Sequence, residues 1–132
     1  MQIGDTQSDD ISVKSGVIQG SVCGPQLFSL FINDLDKVPN VLKMYLFADD
    51  SKSIAEVASY QDVTLIQQDL NCIEGWSKLN KLPLNVIKSY HLHYGKNFVG
   101  HEYKLGDAVI TSVNDQLDLG VLRSSETLSD RK

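Results

Sequence analysis

The chain has 132 residues, of which 42% are hydrophobic and 22% charged, and its formal net charge at pH 7 is −5. This length corresponds to one domain, and the composition supports a buried core rather than wholesale disorder. The negative net charge argues against a complete nucleic-acid enzyme, which usually presents a basic face. No run approaches the roughly 18 apolar residues of a membrane span, and no signal peptide is visible, so we expect an intracellular protein, nuclear or cytoplasmic.

A glycine-rich loop and a helix are predicted in the first third of the chain. Gly16, Gly20 and Gly24 fall within nine residues, which indicates a backbone that bends sharply or approaches a ligand closely. No Gly-Lys-Ser/Thr follows, so the loop is not a P-loop. Pro25 then favours the start of a helix that ends near Pro39. The buried face of this helix is expected at the apolar residues spaced i, i+3, i+4 and i+7, which are Phe28, Phe31, Ile32 and Leu35.

The most informative stretch is the apolar run that leads into Asp49 and Asp50, followed by a second, partly apolar run over residues 54–57. This pattern predicts a hairpin with its tight turn at the Asp pair. Two carboxylates at one apex repel each other unless a cation neutralises them, and hard cations such as Mg²⁺ are their natural partners. For an Asp-Asp pair considered alone, a solvated acidic turn is the alternative interpretation.

A second helix and several short strands complete the predicted elements. Ser59 and Asp62 have the capping-box spacing, which starts a helix that extends to about Asn80. Its apolar stripe consists of Val63, Ile66, Leu70, Ile73 and Trp76. Strands are expected over residues 84–93, 103–105, 109–113 and 117–122. The fold class is therefore predicted to be α+β, an antiparallel sheet with two main helices packed on one face.

Five segments carry a family pattern. Residues 15–28 read SGVIQGSVCGPQLF, residues 31–35 read FINDL and residues 47–50 read FADD. Residues 76–77 (WS) with 84–88 (LNVIK) form the fourth segment, and residues 118–121 (DLGV) form the fifth. In this order they resemble the SGVPQGSVLGPLLF, YINDL, FADD, WS…FNxxK and DLGV segments of reverse transcriptases from non-LTR, LINE-type retrotransposons, especially jockey-like ones. FADD alone is a weak signal, but the Gln-Gly-Ser loop about 30 residues before it makes the set specific.

The resemblance implies an RNA-directed DNA polymerase palm that catalyses nucleotidyl transfer with two Mg²⁺ or Mn²⁺ ions. Asp49 would be the metal ligand shared by both ions, and Asp50 would support the site electrostatically or as a further ligand. Lys88 occupies the position of a lysine that protonates or stabilises the leaving pyrophosphate, which is a general-acid role. Asp49, Asp50 and Lys88 are thus the expected catalytic residues.

The resemblance also implies contacts with an RNA template, a DNA primer and dNTPs. Gln19, Gly20 and Ser21 would lie against the incoming nucleotide and the template. Leu119, Gly120 and Val121 would hold the end of the primer. In the family, a proline stands where this chain has Ile18, and its absence loosens the backbone of the loop.

The resemblance treats residues 1–132 as one partial domain, a palm segment that runs from the Gln-Gly-Ser loop through the Asp-Asp hairpin to the primer-grip-like strand. The fingers, the strand that bears the first catalytic Asp and the thumb are expected to be absent. We therefore expect weak metal binding and no polymerase activity from the chain alone. An in-frame upstream extension that encodes an Asp-bearing strand would indicate an active element.

Other interpretations remain open or disfavoured. A non-catalytic retroelement relic or interaction module is the main alternative to a working enzyme. A phosphorelay receiver domain is disfavoured because its third Asp should follow a hydrophobic strand some forty residues after the acidic pair, and for the pair Asp49-Asp50 that place reads LHYG, residues 92–95. His91 and His93 have a spacing that can bind a metal, but only His101 remains as a further histidine and no cysteine is near, so a structural role is favoured. Cys23 and Cys72 have no CxxC partner, which predicts buried, reduced thiols.

Overall fold

The structure of the protein is a computed structural model that describes residues 2–3, 6–7, 16–17, 20–94, 100–118 and 121–124. Residues 2–3, 6–7, 117–118 and 121–124 are described by their backbone only. The chain forms two compact units, Met1–Ile32 and Asn33–Lys132.

The described residues form two α-helices, two 3₁₀ turns and ten short strands. Helix α1 spans Gly24–Phe31, helix α2 spans Tyr60–Leu79, and the 3₁₀ turns cover Leu35–Lys37 and Val86–Lys88. The strands in chain order are β1 (Gln2–Ile3), β2 (Thr6–Gln7), β3 (Lys43–Phe47), β4 (Asp50–Ile54), β5 (Tyr90–Leu92), β6 (Lys104–Leu105), β7 (Ala108–Val109), β8 (Thr111–Val113), β9 (Asp115–Asp118) and β10 (Val121–Ser124).

The strands of the described residues pair two at a time. The antiparallel pairs are β1–β2, β3–β4, β6–β7 and β9–β10, whereas β5 and β8 pair in parallel. Parallel neighbours need a long connection, which here carries β6 and β7. The α+β class is confirmed, since two helices accompany small antiparallel sheets. The packing of both helices on one face of a sheet stays a prediction, because α1 and α2 belong to different units.

Helix α1 is shorter and more exposed than the apolar spacing predicts. It opens with Pro25 in its first turn, as expected, but it ends at Phe31. Asn33 and Asp34 follow, and both residue types compete with the helical backbone for hydrogen bonds. No residue of α1 is buried; Phe31 is 47% exposed, whereas Ile32, just after the helix, is buried. The predicted burial is therefore wrong at Phe31 and confirmed at Ile32.

Helix α2 begins and ends where local signals predict. The Ser59 hydroxyl accepts a hydrogen bond from the Asp62 backbone N–H at 3.4 Å, and the Asp62 carboxylate accepts one from the Ser59 N–H at 2.7 Å. This capping box satisfies donors that a helix start leaves without intrahelical partners. The helix ends at Leu79, with Asn80 as its C-cap. Of the predicted stripe, Val63, Ile66, Ile73 and Trp76 are buried and Leu70 is half-buried.

The core of the second unit gathers around α2. Among the side chains that the structure describes, its other buried apolar ones come from segments before and after the helix and are Leu35, Leu42, Leu105 and Ile110. The Gln67 side-chain amide donates to the carbonyl of Lys104 at 2.8 Å and accepts from the Lys104 N–H at 2.9 Å. This pair of bonds satisfies backbone groups of β6 as a neighbouring strand would, and it attaches β6 to α2.

The segments after α2 differ in detail from the predicted strands. Residues 84–93, predicted to be extended, contain the 3₁₀ turn Val86–Lys88 before β5. The predicted strand over 109–113 is divided at Ile110, whose N–H donates to the Tyr103 carbonyl at 2.8 Å, so β7 and β8 have different partners. Cys23 and Cys72 are free, as predicted, but both are exposed rather than buried. Neither helix of the described part has the length and apolar character needed to cross a membrane.

Candidate active site

The two adjacent carboxylates lie at the β3–β4 hairpin. Its register pairs Phe47 with Asp50, which leaves Ala48 and Asp49 as a two-residue turn. The hairpin is confirmed, but its turn comes one residue earlier than predicted, because Asp50 is already the first residue of β4. The residue with left-handed backbone is Ala48, with φ of +51°, and not an Asp. For a residue with a Cβ this conformation costs about 1–2 kcal/mol, so the turn beside Asp49 is strained.

Strand β3 of the hairpin has one half-buried and one exposed face. Met44 and Leu46 are half-buried, whereas Phe47 is 66% exposed. Residues directly opposite each other in an antiparallel pair share a face, so Asp50 lies on the exposed face with Phe47. Asp49 and Asp50 are both exposed. The structure therefore brings two carboxylates together at a solvent-facing end of the hairpin, which we call the β3–β4 tip (residues 47–50).

Two lysines share the exposed face of the hairpin with Asp50, and the sequence alone did not reveal this cluster. The Lys43 ammonium lies 5.4 Å from the centroid of the Tyr45 ring. Lys52 is directly opposite Tyr45 in the strand register. Tyr45 itself is 48% exposed. Along β3 and β4, the face that carries Asp50 thus also carries an aromatic ring at Tyr45 and the side chains of Lys43 and Lys52.

A divalent cation fits the chemistry of the β3–β4 tip in part. Carboxylate oxygens are the ligands that Mg²⁺ and Mn²⁺ prefer, and Mg²⁺ usually combines one or two protein carboxylates with water and substrate phosphates. Within residues 16–17, 20–94 and 100–116, no group of three His, Cys, Asp or Glu side chains could hold a metal ion. Asp49 and Asp50 would therefore supply only one side of a coordination shell.

The glycine-rich loop is described at Gly16, Gly20 and Ser21, whereas Gln19 lies outside the described residues. Gly16 and Gly20 have φ values of +87° and +86°, which L side chains rarely adopt. A Cβ added at Gly20 would meet no described atom within 4 Å. The Ser21 hydroxyl is shielded from solvent and has no hydrogen-bond partner among the described residues. The backbone requirement for glycine is confirmed, and the contacts of this loop with nucleotide and template stay predictions.

Lys88 is the last residue of the 3₁₀ turn Val86–Lys88 and is exposed. Its backbone N–H donates to the Asn85 side chain at 3.3 Å, so the Asn-x-x-Lys spacing forms a local turn rather than an extended strand. The Lys88 ammonium makes no hydrogen bond or ion pair with Asp49 or Asp50, all three being within the described part of the chain. Its catalytic role stays a prediction.

The predicted primer-binding residues are described in part. Val121 opens β10, and its backbone pairs with Asp118 of β9. Leu119 and Gly120 lie outside the described residues. The predicted continuous strand over residues 117–122 is wrong, because Asp118 ends β9 and pairs antiparallel with Val121, the first residue of β10. Contact of residues 119–121 with a primer stays a prediction.

Asp69 is a residue that the sequence interpretation missed. It is only 2% exposed on α2, and its carboxylate accepts hydrogen bonds from three consecutive backbone N–H groups. Oδ1 accepts from Asn40 at 2.8 Å, and Oδ2 accepts from Val41 at 2.7 Å and from Leu42 at 2.9 Å. The Asn40 side-chain amide adds a longer bond to Oδ1 at 3.4 Å. Asp69 therefore anchors the residues that lead directly into β3.

The environment of Asp69 explains its ionisation. Burial raises the pKa of its carboxyl, but the hydrogen bonds from Asn40, Leu42 and Val41 favour the charged form more strongly, and the pKa lies below its usual range. One signal in the sequence could have found this residue. Asp69 lies three positions after Ile66 and four before Ile73, so an acidic residue interrupts the apolar stripe of α2 and needs hydrogen-bond donors there.

A second polar bond joins α2 to the same connecting segment. The indole N–H of Trp76 donates to Oδ1 of Asp34 at 3.1 Å. Trp76 is 8% exposed, which agrees with a packing role rather than a base-stacking one. The segment of residues 34–42 is thus bonded to α2 at both ends, through the side chain of Asp34 at one end and through the backbone N–H groups of residues 40–42 at the other.

The histidines lie among aromatic rings. The His91 and Tyr103 rings meet edge to face with centroids 5.2 Å apart, and His101 packs in the same way on Tyr103 at 5.3 Å and on Tyr60 at 6.1 Å. Burial, followed by the nearby His93 and His101, lowers the pKa of His91, and a backbone contact with Ile110 opposes this shift. His91 and His101 therefore pack against tyrosine rings beside β5.

Comparison with known proteins identifies the family. The family model for reverse transcriptase (RNA-dependent DNA polymerase) matches residues 2–103 of the 132-residue chain. The match includes the glycine-rich loop, the β3–β4 tip and Lys88. No significant match was found among curated proteins or among solved structures. With most of its length matched and two adjacent carboxylates at the end of a hairpin, the chain belongs to the reverse transcriptase (RNA-dependent DNA polymerase) family.

Proposed function

We propose that the chain is the palm segment of an RNA-directed DNA polymerase from a non-LTR, jockey-like retrotransposon, with the β3–β4 tip as its catalytic centre. The observation that carries this proposal is the exposed pair Asp49 and Asp50 at the end of a hairpin in a chain of the reverse transcriptase family. The five sequence segments described above support the retrotransposon type.

Asp49 and Asp50 would hold Mg²⁺ or Mn²⁺ during nucleotidyl transfer. The bound ions would activate the primer 3′-hydroxyl and stabilise charge on the triphosphate. Asp49 lies in the two-residue turn, and Asp50 pairs with Phe47. The hairpin therefore fixes the backbone position of Asp49 relative to that of Asp50. Lys88 has an exposed ammonium, which would donate a proton to the leaving pyrophosphate.

The proposed substrates are an RNA template, a DNA primer and dNTPs. Gln19, Gly20 and Ser21 are proposed to contact the nucleotide and template, and Leu119, Gly120 and Val121 the primer. On the exposed face of the hairpin, Lys43 provides positive charge for phosphates, and Tyr45 provides a ring on which a base can stack. These features support nucleic-acid binding at the β3–β4 tip despite the net charge of −5.

Mn²⁺ is expected to bind the chain weakly, with a Kd on the order of millimolar, because two carboxylates leave most of the shell to water. Paramagnetic broadening of amide NMR signals should centre on the β3–β4 tip. Addition of dTTP should strengthen Mn²⁺ binding, because the triphosphate supplies further oxygen ligands. Asp49→Asn should abolish the localised broadening with and without dTTP.

The matched control for this titration is Asp107→Asn. Asp107 is also an exposed residue in the second position of a two-residue hairpin turn, since Leu105 pairs with Ala108, and its substitution should leave Mn²⁺ binding unchanged. Micromolar binding that survives Asp49→Asn would show that the β3–β4 tip is not the metal site. At equal concentrations of free Mn²⁺, weaker broadening in the presence of dTTP would favour a solvated acidic turn, which repels an anionic complex.

The chain alone is expected not to extend a primer. Two-metal catalysis needs ligands around both ions, and phosphate neutralisation dominates affinity for a primer–template, whereas Lys and Arg number 12 here against 17 acidic residues. The assay is extension of oligo(dT) on poly(rA) with Mg²⁺ or Mn²⁺, beside the double variant Asp49→Ala, Asp50→Ala. Extension above this control would contradict the prediction of an inactive chain.

A non-catalytic protein derived from a retroelement is the second candidate. Two observations favour it, namely the net charge of −5 and the absence of any bond between Lys88 and the carboxylates of the β3–β4 tip, within the described residues. The dTTP titration separates the two candidates, since only a nucleotide-binding site should bind Mn²⁺ more tightly when dTTP is present.

A further inference from the structure

We propose that Asp69 is a positioning residue for the β3–β4 tip, because it holds the chain segment that enters β3 in place against α2. The contacts of Asp69 carry the claim that it positions the tip, while the catalytic importance of the tip rests on the proposed function. Asp69 touches neither Asp49 nor Asp50 in this arrangement; it acts on them through the backbone of residues 40–47.

Three backbone donors converge on the carboxylate of Asp69. The N–H groups of Asn40, Val41 and Leu42 all point to this one carboxylate, at 2.7–2.9 Å. β3 begins at the next residue, Lys43. Hydrogen bonds to a charged acceptor are about twice as strong as neutral ones, so the entry to the strand is held by the strongest bonds available to backbone donors.

A regular strand ladder connects the anchored residues 40–42 to the carboxylates of the tip. From Lys43 the β3–β4 ladder runs without interruption, from the pair Lys43–Ile54 to the pair Phe47–Asp50. The tip is therefore five strand residues away from the anchored segment along a regular antiparallel ladder. A shift of Leu42 relative to α2 would move the whole hairpin as one element.

The reference helix α2 is itself rigid. α2 is capped at Ser59 and Asp62, and it buries Trp76, whose indole is bonded to Asp34. The connecting segment is consequently bonded to α2 near both of its ends, by Trp76 at Asp34 and by Asp69 at residues 40–42. Two attachments on one helix restrain both the position and the direction of the strand that follows.

The anchor at Asp69 needs a carboxylate. Both oxygens of Asp69 accept backbone bonds, and an amide of the same shape offers only one acceptor oxygen. In Asp69→Asn, the amide NH₂ would replace one carboxylate oxygen. It would face backbone N–H donors without being able to accept their hydrogen bonds. An apolar residue would leave all three donors without a partner in a site that is 2% exposed.

The experiment compares hydrogen exchange of backbone amides in the unsubstituted chain, Asp69→Asn and Asp62→Asn. Asp62 is the matched control, since it is also an Asp on α2 that accepts backbone N–H bonds, but only from Ala58 and Ser59 at the start of its own helix. In Asp69→Asn the amides of residues 41–47 and 50–54 should be accelerated at least about tenfold more than the amides at the centre of α2, which report only the loss of global stability. In Asp62→Asn only the start of α2 should exchange faster.

A second variant and a second readout make the test decisive. Val41→Pro deletes one of the three N–H donors, leaves Asp69 intact and changes a residue that is 42% exposed, so it should accelerate the amides of residues 42–47 and 50–54 by a smaller factor even if Asp69→Asn does not fold. Mn²⁺ broadening at the β3–β4 tip should require a severalfold higher Mn²⁺ concentration in Asp69→Asn than in Asp62→Asn.

The outcomes separate this inference from the proposed function. Equal acceleration of α2 and the hairpin, or no acceleration of the hairpin, overturns the positioning role and assigns Asp69 to general stability. Failure of the unsubstituted chain to bind Mn²⁺ at the tip overturns the proposed function, while the exchange data still decide whether Asp69 positions the hairpin.

Discussion

Truncation of Trp76 to alanine is expected to lower the free energy of unfolding by about 3–5 kcal/mol, the range observed when large buried aromatic side chains are removed. Trp76 is 8% exposed in the core around α2, and its indole N–H is bonded to Asp34. The variant loses both the buried apolar surface and this bond. Phe31, which the sequence pattern also assigned to the core, is 47% exposed, so its truncation should cost less.

Urea denaturation followed by circular dichroism measures this change. Leu79→Ala is the matched control, because Leu79 is in the last turn of the same helix and is 82% exposed; its cost should stay within about 0.5 kcal/mol. Trp76→Phe should lose about 1 kcal/mol for the missing hydrogen bond, plus the smaller apolar area. A loss for Trp76→Ala no greater than that for Leu79→Ala would contradict the burial of Trp76.

Asp69→Asn is expected to lower the free energy of unfolding at pH 7 by about 2–4 kcal/mol, since two or more backbone donors lose their charged acceptor. This difference should shrink in acid. Hydrogen bonds from Asn40, Leu42 and Val41 outweigh burial and hold the pKa of Asp69 below its usual range. The stabilisation is therefore fully present above the unfolded-state pKa of about 3.9 and is lost as pH falls through the lower folded-state pKa.

Denaturation at several pH values between 7 and 2 tests this linkage. The unsubstituted chain and Asp69→Asn should differ most near neutral pH and converge below pH 4. Asp62→Asn serves as the control, because hydrogen bonds from Ala58 and Ser59 lower the pKa of Asp62 as well, although its environment is exposed. A difference between the chain and Asp69→Asn that stays constant from pH 7 to pH 2 would show that the charge of Asp69 is not what stabilises the fold.

The sequence by itself determined the elements that depend on neighbouring residues. The capping box at Ser59 and Asp62 and the apolar spacing of α2 are local, so they predicted a helix that the structure reproduces. The apolar run before Asp49 and Asp50 and the second, partly apolar run after them likewise predicted the hairpin. The five segments predicted the reverse transcriptase family, which the family match over residues 2–103 confirms.

The tertiary structure alone decided the features that depend on distant residues. The early end of α1 and the 3₁₀ turn at Val86–Lys88 could not be read from periodicity, because apolar spacing does not report which turns find partners for their backbone groups. Strand register placed Ala48, not Asp50, in the turn. The same register placed Lys52 directly opposite Tyr45.

Asp69 shows most clearly why contacts between distant residues could not be predicted from the sequence. Its partners at residues 40–42 lie 27–29 positions away in the chain, so no local pattern names them. An acidic residue on an apolar stripe reveals only that some donor must be near, because a buried charge without hydrogen bonds is too costly. Which donors meet that need is decided when α2 packs beside the segment that enters β3, and that contact exists only in the folded chain.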